Sequence, residues 1–328
     1  MSSKALGTLA VLSLAIGAAC SAPPAEQVST SIRIFSGPRD ATFFILAEAI
    51  AALIRQKLPD VHAIAVESRG TGSNIEALQD GSADCALASA DNVYLAYFEG
   101  TQRVPTPYTR LRGVAVLFPN VLHIVSGPRS SVRYMSQLPG RHIGPAIPGE
   151  RVPSRRDGRA TALIDTAVEL SRRPSAKTTT TEVGLDEAVT KLENGQIDVA
   201  LLYGGYPFLP VTQFANRSDV TFLEFDEPAT SLLKSKYPFF KPTVVPAGTY
   251  RGQPKDVHTV AVDNLLICRA DLAADTVYRV TRVLHEGLQT VATAHASGQQ
   301  INTEDGPATP VPLHEGARRF YRERELFR

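Results

Sequence analysis

Residues 31–35 (SIRIF) alternate polar and apolar side chains and predict a short strand. A loop follows over 36–40. Residues 42–58 then carry Phe43, Ala47, Ile50, Leu53, Ile54 and Leu58 at helical spacing, closed by Pro59-Asp60. Residues 61–67 (VHAIAVE) alternate again, 69–74 are rich in glycine, 75–80 predict a short helix and 84–89 another strand. Strand, loop, helix repeated in this order predicts an α/β architecture around a mainly parallel sheet.

The theme then restarts. Residues 113–118 and 121–126 are apolar runs split by Pro119-Asn120, 132–138 predict a short helix and 141–146 a weak strand. Helices are predicted over 159–172 and 185–194, and a buried strand over 197–203 (IDVALLY). Residues 259–269 read as a strand pair or one long strand. Residues 271–294 predict the longest helix, with Asp271 as its N-cap, and 313–326 a closing helix. Two α/β lobes with glycine-rich strand-to-helix loops predict a ligand cleft between them, because ligands of open α/β sheets lie beyond the carboxyl ends of the strands.

Composition narrows the class. The chain has 328 residues, enough for two domains. With 43% hydrophobic and 20% charged residues it is globular rather than disordered. Its 34 basic and 33 acidic side chains leave a net charge of +1, without the broad basic footprint of a nucleic-acid binder. Residues 5–19 form a charge-free apolar run, short of the roughly 20 residues of a membrane-spanning helix and of the size of a signal-peptide core. Gly17-Ala18-Ala19-Cys20 resembles the bacterial lipobox, which implies a lipidated Cys20 at the mature N-terminus. Ordinary cleavage with Cys20 as a bystander is the alternative. The expectation is a signal peptide over 1–19, a lipid-anchored tether over 20–31, and a periplasmic or otherwise extracytoplasmic, membrane-anchored location. The three cysteines include no Cys-x-x-Cys, so neither a zinc ribbon nor a disulfide framework is expected. Cys85 and Cys268 sit in apolar runs and read as buried reduced thiols; an oxidising compartment would also permit a disulfide between them.

The chain contains no Gly-x-Ser-x-Gly elbow, no P-loop and no His-Glu-x-x-His, and its seven histidines show no ligand spacing. No catalytic residue, metal or cofactor is expected. The loop Gly70-Thr71-Gly72-Ser73-Asn74-Ile75 fails a dinucleotide fingerprint at Ile75, yet glycines and a helix start still suit an anion. Ser73 and Glu76 also spell a capping box, so capping and ligand contact both stand for Ser73. In the first loop Gly37, Arg39 and Thr42 are candidates, Arg39 as a carboxylate clamp or as a solvated charge. Ser89 and Asp91 follow a buried strand, Asp91 as N-cap or ligand group. Gly205 and Tyr206 form a plain turn or an aromatic cover. Arg155 and Arg156 belong to an arginine-rich loop over 151–159, either solvated or suited to an anion by bidentate pairing.

From Ile32 onward the chain resembles the TAXI-family solute-binding proteins, the extracytoplasmic receptors of one group of TRAP transporters. The likeness rests on Ile34-Phe35-Ser36-Gly37-Pro38 with Phe43-Phe44, on Glu67-Ser68-Arg69-Gly70-Thr71-Gly72-Ser73-Asn74, and on Leu117-Phe118-Pro119-Asn120-Val121-Leu122-His123. It continues through Leu138-Pro139-Gly140-Arg141, Tyr237-Pro238-Phe239-Phe240, Val245-Pro246-Ala247-Gly248-Thr249-Tyr250-Arg251-Gly252 and Pro312-Leu313-His314-Glu315-Gly316-Ala317. The resemblance implies a two-lobe periplasmic-binding-protein fold of type II kind. Lobe 1 would be built from 32–117 plus 246–328 and lobe 2 from 118–245, with passages near 116–120 and 241–246. It adds Phe43 and Ser68 to the candidate ligand residues. It also implies a small organic anion such as glutamate, glutamine or a related 2-oxo- or dicarboxylate, handed to a TRAP-type membrane permease. Residues 148–158 depart from the family's Gly-Ser-Gly-Thr-like loop, and arginines there favour a more anionic ligand. A ligand-sensing lipoprotein signalling through a membrane partner, or an enzyme on the same fold, are the alternatives.

Overall fold

The computed structural model describes residues 30–101, 104–146, 163, 165–167, 169, 178–181 and 183–326. The first half of the chain lays down β1 (Thr30–Phe35), α1 (Thr42–Lys57), β2 (Val61–Val66), α2 (Thr71–Asp80), β3 (Cys85–Ser89) and α3 (Ala90–Glu99). β1 lies between β2 and β3, parallel to both. α1 turns Leu46, Ala47, Ile50, Ala51, Leu53 and Ile54 inward, the stripe its spacing predicts. β3 is buried along its whole length, as a strand covered on both faces must be.

β4 (Leu111–Ser126) is one long strand, not two runs separated at Pro119-Asn120. It pairs with β10 (Val257–Arg269) on one edge. Its other edge takes β7 (Val199–Gly204) and β8 (Thr221–Phe222). β5 (His142–Ala146) and β6 (Thr179–Thr180) extend the sheet beyond β7, and β9 (Phe240–Val245) pairs with the first half of β10. The order is β2-β1-β3-β10-β4-β7-β5-β6. Among the described residues, β4 and β10 are the strands that pair with strands of both halves. Along one edge of β10, residues 257–262 pair with 240–245, and β3 takes over at Asn264. This gives the two-lobe α/β arrangement that the patterning implied.

Helices α4 (Leu185–Glu193), α5 (Leu209–Arg217) and α6 (Glu227–Lys236) belong to the second half; α7 (Ala274–Glu286), α8 (Leu288–Ala294) and α9 (Glu315–Glu323) return to the first. The predicted helix over 271–294 is broken at Gly287, where a Cβ would stand 2.4 Å from Leu53 Cδ2, so the corner sits directly on α1. Asp271 does not cap it. The cap position is Ala273, and Asp271 pairs with Arg110 at 3.0 Å and Arg269 at 3.2 Å. The predicted helix over 132–138 contracts to a 3-10 turn, Met135–Gln137. Cys85 and Cys268 face each other across β3 and β10 and form a disulfide rather than two thiols. Strand pairing brings together two cysteines 183 positions apart, which no local pattern reveals.

Among the described residues no helix is long and apolar enough to cross a membrane. Residues 1–29, with Cys20, the signal segment and all but the last two residues of the expected tether, lie outside them, as do Arg155 and Arg156; Thr30 and Ser31 instead open β1.

Candidate functional site

The carboxyl ends of β1, β2 and β3 lie together, and their loops are tied into one knot. Ser36 donates to the Val66 carbonyl through both its N–H, at 3.1 Å, and its hydroxyl, at 2.8 Å. The Ser68 N–H donates to Gly37 O at 3.2 Å. The Ser89 N–H donates to Thr71 Oγ1 at 3.2 Å. At the centre is Asn74, fully buried. Its amide nitrogen donates to Ser36 O and Leu87 O, both at 2.7 Å, and its oxygen accepts from Ser68 Oγ at 2.6 Å. Asn74 therefore positions the three loops, and its amide protons are spent on protein.

α2 begins four residues earlier than its apolar pattern indicated, at Thr71. The preceding Gly70 has φ 110°, a conformation open to glycine and strained for other residues. The cap position thus falls on Gly70, and Ser73 lies inside the first turn, its hydroxyl donating to Gly70 O at 2.9 Å. The capping box over 73–76 is not formed. Asp91 is likewise not an N-cap. Ser89 holds that position in α3, and Ser89 Oγ donates to Asp91 Oδ1 at 2.8 Å. Asn92 Nδ2 lies 3.3 Å from the same oxygen. The consequence is unusual: α1, α2 and α3 each start at this end of the sheet and none has a side-chain cap. First-turn N–H groups have no intrahelical acceptor, and the helix dipole favours negative charge beside them.

The other candidates frame this end. Phe43, in the first turn of α1, packs edge-on against Phe118 of β4 with centroids 6.2 Å apart. Thr42 Oγ1 lies 3.5 Å from His295 Nε2. Arg39 is on the rim, 73% exposed, paired with Glu67 at 3.0 Å and 5.1 Å over the Phe44 ring. An exposed pair of this kind contributes little to stability.

From the second half, the loop after β7 brings Gly205 and the exposed Tyr206. This loop is anchored from beneath. The Phe208 N–H donates to Tyr250 Oη at 2.9 Å, and that hydroxyl lies 2.8 Å from His123 Nε2. Burial pushes the His123 imidazolium down to about 4 and the Tyr250 phenol up to about 12. A Cβ on Gly205 would lie 3.7 Å from Gln300 Nε2, so the 3-10 turn Ala296–Gln300 of the first half reaches the second half here. Asn120 and Asn264 join β4 to β10 at the passage, Nδ2 to Oδ1 at 3.2 Å.

Of the candidates that the sequence offered, those in loops 36–43, 68–74 and 89–91 lie together at the carboxyl ends of β1, β2 and β3, and 205–206 follow β7 in the second half. His295, Gln300, Asn120 and Asn264, which also stand here, were not among those candidates. The first two lay behind a helix read as unbroken, Asn120 lay at a point read as a gap between strands, and Asn264 lay inside a segment read as a strand pair or one long strand. The reading of Asn120 had a usable signal, a polar residue in the middle of a long apolar run.

An α/β sheet divided by two shared strands, with loops converging at the division, is the two-lobe fold of the periplasmic binding proteins. The XAC2383 protein of Xanthomonas citri, solved bound to ATP, has this chain's fold at a TM-score of 0.50 and 11% identity, over 90% of this chain and 95% of that one. The periplasmic aliphatic sulphonate binding protein SsuA of Escherichia coli aligns at 13% identity over 90% and 94%, with a TM-score of 0.48. A model of the NMT1-like family matches residues 34–324, and the chain belongs to that family.

Removing the Asn74 amide is expected to be costly. Asn74→Ala takes the amide donor from the Ser36 and Leu87 carbonyls and leaves the Ser68 hydroxyl only the Gly70 N–H as a partner, an expected loss of about 3–5 kcal/mol in a urea titration. Asn74→Asp keeps the oxygen facing Ser68 but sets a second oxygen against Ser36 O and Leu87 O, and should be comparably unstable. A stable Asn74→Asp variant would show that the knot does not depend on the amide.

Proposed function

We propose that the chain is an extracytoplasmic solute-binding receptor of the TAXI type, which captures a small organic anion in the interlobe cleft and delivers it to a TRAP-type permease. The observation that carries this reading is the convergence of three helices, α1, α2 and α3, that start without side-chain caps on loops locked together by Asn74. Such an end is rich in N–H donors and poor in groups able to do covalent chemistry, which supports a binder rather than an enzyme. The NMT1-like family membership and the two-lobe fold agree with it. The lobes are 30–118 with 264–326, and 119–263, the chain passing between them in β4 and β10. Closure of the lobes about these two strands traps the solute, and the closed form is the one that the permease reads. Cys20 carries the lipid that keeps the receptor at the membrane, and residues 21–29 serve as its tether.

The test is thermal unfolding of the mature chain, stripped of carried-over ligand by unfolding and refolding, against glutamate, glutamine, 2-oxoglutarate and other small carboxylates. Ligand at about 100 times its dissociation constant adds roughly 2.7 kcal/mol, a shift of several degrees for a protein of this size. A selective shift is the expected result. A flat response across the panel would remove the receptor reading and favour a lipoprotein that senses or scaffolds.

A further inference from the structure

One edge of β10 carries two strands end to end. β3 finishes at Ser89, opposite Asn264, and β9 begins at Phe240, opposite Val262. The residue between these pairings is Asp263. Its side chain is 8% exposed, and it faces away from Val262, on the same side of the sheet as Ala261. There it separates two apolar cores, one holding Ala261 and Val121, the other holding Leu266 and Leu87. An apolar side chain would have joined them at no electrostatic cost.

Lys241 stands opposite Ala261 on β9, so it shares that face, and its ammonium reaches along the strand to Asp263 Oδ2. The charge pair therefore lies in the notch between the beginning of β9 and the carboxyl end of β3, where α3 starts. Asp305 adds a second negative charge that acts on Asp263. Burial holds the Asp263 carboxyl above the usual carboxylate range although Lys241 opposes it, so Asp263 is not fully compensated. The Lys241 side chain is 39% exposed. An ammonium has three donors, and one bond to Asp263 leaves two to offer.

We infer that Lys241, held in place by Asp263, is the cation that receives the anionic group of the solute, a carboxylate, sulfonate or phosphate, in the interlobe cleft. This rests on the receptor reading above. It supplies the full positive charge that the uncapped helix ends lack, and it comes from the half of the sheet opposite to them, so that an anion bound between the two would draw the lobes together.

The experiment compares the mature wild-type chain with Lys241→Gln, Lys241→Arg and the double variant Lys241→Gln/Asp263→Asn, which removes both charges and so leaves no buried carboxylate without a partner. The probes are L-glutamate, 2-oxoglutarate, inorganic sulfate and inorganic phosphate, with L-glutamine as the amide control, read by calorimetric titration and thermal shift. A charge-assisted contact predicts at least a tenfold loss of affinity for the bound anions in both glutamine variants, retention in Lys241→Arg, and a change of less than threefold for glutamine if it binds. Anion affinity unchanged in the folded double variant would overturn the inference and leave the receptor reading standing. If the wild-type chain binds none of the probes, both are overturned.

Discussion

Between pH 7 and 4.5 the protein is expected to lose about 5 kcal/mol of stability, from two histidines buried in neutral form. His123 lies under the 204–208 loop and His285 on α7 against Phe320 and Tyr321 of α9, and burial brings each down to about 4 from an ordinary value of 6.5. Burial accounts for the neutral forms, and the hydrogen bonds fix which ring nitrogen carries the proton. Tyr250 Oη accepts from the Phe208 N–H, which leaves its own proton for His123 Nε2. Tyr321 Oη donates to Val114 O at 2.9 Å and so accepts from His285 Nε2 at 2.8 Å. Below pH 6.5 the unfolded chain takes up protons at both positions and the folded one does not, so stability is fully present above 6.5 and declines as pH falls towards 4. Urea midpoints measured across that range should fall steadily, and His285→Gln should remove about half of the slope. A midpoint independent of pH between 7 and 4.5 would mean that both imidazoles are reached by solvent.

The second large effect belongs to the Cys85–Cys268 disulfide. It closes a loop across 183 positions, and the chain-entropy relation for such a loop gives about 5 kcal/mol at 25 °C, with strain and residual structure able to lower it. Everything from β4 to β9 lies between the two cysteines, so the bond fastens β3 to β10 whatever the second half of the sheet does. Removing it in Cys85→Ala/Cys268→Ala should lower the denaturant midpoint by roughly 2–5 kcal/mol in free-energy equivalent while leaving the sheet order intact. Alkylation before and after reduction in denaturant, followed by mass measurement, tests the bond itself. Two thiols alkylated in the unfolded protein without reductant would return the pair to the state read from the sequence.

Much of the molecule was legible along the chain. Helical spacing located α1 almost to the residue, and alternation located β1 and β2, because these elements are set by which side chains must leave water and by the period of the backbone. The glycine-rich loop before α2 was recognised as a place of close approach, and the α/β alternation implied a cleft between two lobes. What periodicity could not supply was the start of α2. Thr71, Gly72 and Ser73 are helical through the positive-φ turn at Gly70 and the knot at Asn74, not through an apolar stripe.

The remaining features were decided by contacts between distant positions. Asn74 reads locally as a polar residue on a helix, and it acts as a post because Ser36 and Leu87 deliver carbonyls to it. The break at Gly287 depends on Leu53 across the α1 interface. Whether Cys85 and Cys268 are thiols or a disulfide depends on β3 and β10 lying side by side in one register. Lys241 and Asp263 are unremarkable in a list of charges, and only the meeting of β3 and β9 on one edge of β10 pairs a buried carboxylate with an ammonium that still reaches solvent. The sequence by itself determined which segments bury themselves and with what period, since hydrophobic transfer is a property of each side chain. Which polar groups face one another was decided by strand order and register, because those set distances between residues that the chain separates by tens or hundreds of positions.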